Sequence, residues 1–270
     1  MIIDTHAHYD SSRYNDDRHE IITALPQNGV EKIINIGCDL KTSRAAVALA
    51  AKYPHVFATV GAHPHYVKSL GDIAGTTSSL GDGFRSAGKN KAVNELIALA
   101  ENKKVVGFGE IGLDFFHNHS PQDMQREWFA HLLKIVAELD LPAIIHSRDA
   151  NSEVFEMIKA SDVRRGVIHA FSGDAELARA YVDMGFHIGI GGVVTFKKSD
   201  TLQDAVAAVP LEKILLETDC PYLAPEPFRG QRNESAYLTY VAEKIAKIKG
   251  TNADTVCAVT SENARGLFGI

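Results

Sequence analysis

Short aliphatic or β-branched runs recur along this chain with amphipathic segments between them, and the alternation repeats eight times. Such a pattern is that of βα units rather than of separate β and α layers. The strands it predicts are Ile2 to His6, Lys32 to Gly37, Val56 to Ala62, Lys104 to Glu110, Pro142 to His146, Gly166 to Ala170, Phe186 to Gly191 and Lys213 to Thr218. Eight units in 270 residues, close to half of them apolar, suffice for one large core. The expected fold is therefore α/β: a single (β/α)8 TIM-type barrel spanning residues 1–270 as one domain.

The clearest helix runs from Pro121 to Leu139, where Pro121 suits a first-turn position and Trp128, Leu132, Ile135 and Val136 repeat at helical spacing. Glu234 to Ile248 reads as the closing helix of the barrel, and Asn252 to Leu267 as an extra C-terminal helix. Residues Gly71 to Lys91 are rich in Gly, Ser and Thr without a period, which predicts an extended loop after the third strand.

Composition narrows the setting. No apolar run approaches the roughly 18 residues that would span a bilayer, and the chain opens on the strand-like Met1-Ile2-Ile3 rather than on a basic, then greasy leader. A soluble, cytoplasmic protein without a membrane partner is expected. Cys38, Cys220 and Cys257 are odd in number and widely spaced, so they read as reduced, mostly core cysteines rather than disulfides or thiolate zinc ligands. A formal net charge of −6 excludes binding of nucleic acid by general attraction, so any such substrate must be held by local features.

The twelve histidines direct attention to the strand ends. The first strand closes with Asp4-Thr5-His6-Ala7-His8, and residues two apart in a strand project to the same side. His6 and His8 can thus share one ion. Four further units place an ionisable residue at the same point: Glu110, His146, His169 and Asp219 each follow an apolar run. The C-terminal ends of barrel strands are where active sites of this fold are assembled. A buried carboxylate or imidazole there is costly unless paired or metal-bound. Any one of the six is as readily a hydrogen-bonded core residue, but their coincidence at five strand ends argues for metal. Imidazole and carboxylate donors suit zinc, manganese or magnesium, and six ligands exceed what one catalytic zinc takes, so two divalent ions are the natural count.

These residues, in this order, resemble the TatD family of metal-dependent deoxyribonucleases within the amidohydrolase superfamily. The resemblance covers nearly the whole chain. It rests on Asp4-Thr5-His6-Ala7-His8, Gly61-Ala62-His63-Pro64-His65, Gly109-Glu110-Ile111-Gly112-Leu113-Asp114 and Ile145-His146-Ser147-Arg148-Asp149-Ala150. It continues in His169-Ala170-Phe171-Ser172-Gly173, Glu217-Thr218-Asp219-Cys220-Pro221-Tyr222-Leu223 and Arg229-Gly230-Gln231-Arg232-Asn233-Glu234. The resemblance implies that His6, His8 and Asp219 ligate one ion and His146 and His169 the other, with Glu110 as the bridge. Gln231 departs from the family pattern, which commonly has a basic residue there.

Two ions can activate a shared water for in-line displacement at phosphorus, with Asp219 accepting its proton and Glu110 completing the catalytic pair. His63 and His65 end the third strand two residues apart and are candidates to donate to a phosphate, unless Pro64 merely fixes a turn with solvated imidazoles. Arg148 can fork onto phosphate oxygens or, alternatively, pair with Asp149 or Glu153. Glu217, two before Asp219, is expected to orient a metal ligand. Arg229, Arg232 and Asn233 after the eighth strand, with Lys197 and Lys198 after the seventh, are candidates to track a DNA backbone, although each alone reads as solvated surface. DNA, as single strands or 3′ ends, is the expected substrate, and a monomer without an obligate protein partner the expected state. A hydrolase of another ester, phosphoester or amide on the same site, and a non-catalytic scaffold that keeps metal, are the alternatives.

Overall fold

A computed structural model describes residues 1–71 and 90–270, so the loop expected between Gly71 and Lys91 falls outside the described residues except at its ends. The strands are β1 (Ile2–Ala7), β2 (Val30–Asn35), β3 (Val56–Val60), β4 (Val105–Asp114), β5 (Ala143–Arg148), β6 (Gly166–Ile168), β7 (His187–Ile190) and β8 (Ile214–Leu216). They pair in sequence order and in parallel. Past the end of β8 the chain turns back onto β1: Asp219 N donates to His6 O at 2.9 Å, and His8 N to Cys220 O at 2.8 Å. The sheet is thus a nearly closed barrel, as the alternation predicts.

Helices α1 (Arg18–Ala24), α2 (Leu40–Lys52), α3 (Lys91–Ala100), α4 (Gln122–Leu139), α5 (Asn151–Lys159), α6 (Ala175–Asp183) and α7 (Asp200–Ala208) lie between successive strands, and α8 (Leu238–Lys249) and α9 (Ala253–Phe268) follow β8. Local sequence explains their limits. Asp39 caps α2 by accepting from Thr42 N at 2.7 Å while the Thr42 hydroxyl accepts from Asp39 N, a reciprocal capping box. In α4 the predicted stripe of Trp128, Leu132, Ile135 and Val136 is buried, and Asp140 ends the helix in a left-handed conformation with φ 48°. Pro121 is the residue before the first turn rather than within it: its extended ψ of 140° makes it the N-cap.

Two apolar layers hold the barrel. The inner one joins Ile3, Ile34, Val106, Ile144, Val167 and Leu215 from six strands, and Ala264, Leu267 and Phe268 of α9 pack against it. The extra C-terminal helix therefore plugs the barrel at the N-terminal ends of its strands. Asn263 fastens it there, donating to Leu211 O at 2.9 Å and Ile214 O at 2.8 Å. The outer layer lies between strands and helices and contains Phe108, Trp128, Phe129 and Tyr181. With one end plugged, the opposite end is left for chemistry. Among the described residues, no helix is long and apolar enough to cross a membrane.

Candidate active site

The inner layer sets which way the strand ends point. Ile144, Val167 and Leu215 face the barrel axis. His146 and His169 each come two residues later, as does Glu217, so they continue inward; Asp219 lies past β8 with φ 55° and is set beside them by the bond of its N to His6 O. β1 breaks this rule: Ile3 faces the axis, yet so does His6, three residues on. The ladder with β2 is irregular between Asp4 and Ala7, and such an irregularity is what exchanges the faces. Glycines provide the space. A Cβ on Gly189 would lie 2.2 Å from Glu217 Oε2, and one on Gly112, whose φ is +148°, would lie 1.9 Å from His146 O.

Glu110, only 4% exposed, occupies the centre. His146 Nδ1 lies 2.7 Å from its Oε1, His63 Nε2 3.5 Å and His169 Nε2 3.9 Å, while His6 Nε2 is 3.6 Å from its Oε2. His8 Nε2 lies 3.2 Å from both His6 Nε2 and Asp219 Oδ1. The rings of His6 and His169 stack at 3.4 Å. Donor atoms close enough to share a cation fall into several sets: His6, His8 and Asp219; His6, Glu110 and His169; and His63, Glu110 and His146. All six strand-end residues thus meet. His146 and His169 do so through Glu110 rather than in one set, and His63, expected at a phosphate, joins the donors around Glu110.

The charges are mutually arranged. Burial alone would raise the Glu110 carboxyl, but His63, His146, His6 and His169 outweigh it and hold the carboxyl well below its usual range. Asp219 is lowered in the same way, its burial overcome by His8, His169 and His6. His169 is pushed up to about 9: burial acts against its charge, and the contact of its Nδ1 with Glu217 Oε1 at 3.0 Å, aided by Glu110 and Asp219, prevails. Burial keeps His63 well below the ordinary histidine value, hence neutral. Convergent imidazole nitrogens and carboxylate oxygens of this kind, buried and facing one another, fit divalent cations of the zinc or manganese type.

The remaining expected residues separate into several positions. Glu217, 1% exposed, also accepts from Ala170 N at 2.6 Å, so it fixes both the ring and the backbone of the His169 turn. His65 Nε2 lies 2.9 Å from Asp114 Oδ2. Arg148 is exposed, with its guanidinium 4.6 Å above the Phe116 ring, and Arg229 lies 4.4 Å above Phe196. Glu153, the alternative partner for Arg148, pairs with Arg126 instead. Arg232 forks onto both oxygens of Asp17, at 2.9 and 2.6 Å. Asn233 is fully buried and donates to Thr218 O and Tyr222 O, so it secures the loop carrying Asp219 and presents nothing to a backbone outside. A cavity of about 460 Å³ opens beside the cluster, with Arg148, His169, Lys198 and Asp219 in its wall; Lys197, its neighbour in sequence, is exposed.

Sequence reasoning missed three residues here. Cys38 is half-buried rather than core, with Sγ 3.6 Å from Glu110 Oε2; burial pushes its thiol up to about 12, so it stays protonated. Asp4, fully buried, accepts from Thr218 N, the Thr218 hydroxyl and the Ser235 hydroxyl, which ties β1 to the turn after β8. Asp114 backs His146 Nε2 at 3.2 Å and also meets His117 Nδ1 at 3.1 Å. Asp4 and Asp114 stood within the motifs; their signal was an acidic residue inside an apolar strand.

Parallel barrels that gather imidazoles and carboxylates at the C-terminal ends of their strands are the scaffolds of metal-dependent hydrolases. The chain belongs to one family of these: the family model for TatD related DNase matches residues 3–269. It is 37% identical to the uncharacterized metal-dependent hydrolase YabD of Bacillus subtilis over the full length of both chains. It is 34% identical to the 3′-5′ ssDNA/RNA exonuclease TatD of Escherichia fergusonii, covering 96% of each. The structure superposes on that of YjjV, a TatD homolog of Escherichia coli, with TM-score 0.87 and 30% identity, covering 100% of this chain and 98% of the other.

Proposed function

We propose that this hydrolase cleaves phosphodiester bonds of DNA, drawing single strands or 3′ ends into the barrel mouth. His6, His8 and Asp219 would hold one divalent ion, His146 and His169 a second, and Glu110 would bridge them; zinc, manganese and magnesium all suit this set. Bound there, the pair supplies acidification of a shared water and charge compensation for the phosphoryl oxygens. Asp219, held as a carboxylate by its histidines, takes the water's proton. His63, neutral and pointed at the same centre, donates to the phosphate. Glu217 and Asp114 keep the rings of His169 and His146 turned inward.

The observation that carries the substrate class is the rim. Among the described residues exposed large aromatics are few, and three of them follow strand ends at the mouth: Tyr66 is 45% exposed, Phe116 57% and Tyr222 49%. Arginines lie over two of these rings, Arg148 on Phe116 and Arg13 on Tyr222. Stacking surfaces with adjacent guanidinium groups suit unpaired bases, and they explain how an acidic protein holds a polyanion. The name of the Escherichia fergusonii relative supports the same class. Three free cysteines agree with a reducing, cytoplasmic setting, and a monomer suffices for the reaction.

Base stacking is worth about 1–3 kcal/mol per base, so Phe116→Ala and Tyr222→Ala should each raise KM for single-stranded DNA about 5- to 150-fold. Neither should alter hydrolysis of a small phosphodiester without bases. Unchanged KM in both variants would remove the rim from substrate binding.

A further inference from the structure

Beside the cluster around Glu110 lies a second meeting of donors, on the far side of His146. Asp114 is 1% exposed and its two oxygens are used very differently. Oδ1 accepts from the main chain twice, from Phe116 N at 3.1 Å and His117 N at 2.7 Å, which saturates it and fixes the carboxylate plane. Oδ2 faces three imidazole nitrogens: His65 Nε2 at 2.9 Å, His117 Nδ1 at 3.1 Å and His146 Nε2 at 3.2 Å. A carboxylate oxygen has two lone pairs, so three ring N–H groups cannot all be served by it. His119 stands near as well, its ring 4.6 Å from that of His65 and 5.6 Å from that of His117.

We propose that His65, Asp114 and His117 form a further site for a divalent cation, separate from the pair assigned to Glu110. Their donor atoms lie within 4.8 Å of one another. In the proposed site one lone pair of Asp114 Oδ2 receives His146 Nε2–H and the other meets the cation, while His65 and His117 offer ring lone pairs instead of protons. The competition for Oδ2 is thereby removed. Two imidazoles and one carboxylate select zinc or a similar late first-row ion over magnesium or calcium, which prefer all-oxygen shells. An anion is disfavoured at the same point by the carboxylate itself. The site opens outward, because His65 is 21% and His117 39% exposed, so positions remain for water or a substrate oxygen. It lies on the Phe116 and Arg148 side of the mouth, where it adds positive charge to the rim. This inference does not depend on DNA being the substrate.

The full-length protein, stripped with chelator and reloaded with zinc alone, tests it by metal analysis and by anomalous scattering from crystals. Wild type should bind one more equivalent of zinc than His117→Ala, and also one more than His65→Gln. Anomalous density should lie between His65 Nε2, Asp114 Oδ2 and His117 Nδ1, and vanish in His117→Ala while density at Glu110 persists. Equal stoichiometry in wild type and His117→Ala, or density at Glu110 with none at Asp114 in wild type, would overturn the proposal. Absence of density at Glu110 would instead count against the site assigned there, so the two failures are distinguishable.

Discussion

At the scale of single residues, the proposed chemistry depends on carboxylates kept charged inside the barrel. Asp219 is lowered by three histidines despite its burial. Asp219→Asn keeps the shape but removes the proton acceptor, and should lower kcat about 100- to 10,000-fold with little change in DNA binding, as single-turnover kinetics and filter binding would show. Glu217→Gln leaves Ala170 N an acceptor but takes away the charge that raises His169 to about 9. Loss of such an orienting carboxylate typically costs about 10- to 100-fold in metal affinity, measurable by competition with a chromophoric chelator. Away from the site, burial with a contribution from Lys213 lowers His187 to about 4. Its folded value lies below the unfolded value of 6.5, so the unfolded chain takes up the proton first. The associated stability is present above about pH 6.5 and is lost as pH falls toward 4. Unfolding free energies from urea titration at pH 7 and pH 5 should therefore differ by about 1–2 kcal/mol more in wild type than in His187→Asn.

At the scale of elements, β8 and the turn after it illustrate what a sequence makes legible. Period-two alternation from Leu215 carries Glu217 inward just past the strand, whereas Asp219 reaches the same side with a φ of 55° and through the bond of its N to His6 O. β1 shows the limit. Strict alternation from Ile3 would turn His6 outward, and only the irregularity between Asp4 and Ala7, invisible in the residues, brings it in. His6 was found because it ends an apolar run, not because of its parity. Asn233 and Arg232 look like polar surface in sequence, yet their partners, Thr218 and Asp17, come from distant segments whose approach no local pattern encodes. Cys38 escaped for a related reason: a thiol reads as core until Glu110 is placed beside it. Gly189 carries a prediction at this scale. Its missing side chain makes room for Glu217, so Gly189→Ala should displace that carboxylate and weaken metal affinity about as much as Glu217→Gln, while the far-ultraviolet circular dichroism stays unchanged.

At the scale of the whole molecule, one end of the barrel is plugged by α9 and the other gathers donors, rings and a few cations from separate units. Phe268→Ala removes a buried aromatic from the plug and should lower stability by about 3–5 kcal/mol, read as a shifted urea midpoint, without changing which substrates are cut. With a net charge of −6, few phosphate contacts are expected on the proposed reading, chiefly from Arg148, Arg229, Lys197 and Lys198. Affinity for single-stranded DNA should accordingly fall with salt at a logarithmic slope of about −2 to −3. The central claim is that hydrolysis depends on cations gathered around Glu110. The most direct measurement follows 3′-labelled single-stranded DNA with wild type, chelator-stripped wild type, the stripped protein reloaded with zinc or manganese, and Glu110→Ala. The account predicts loss of cleavage on stripping, recovery on reloading, and no recovery in Glu110→Ala, all with the fold intact by circular dichroism. Equal cleavage by Glu110→Ala and wild type would contradict it.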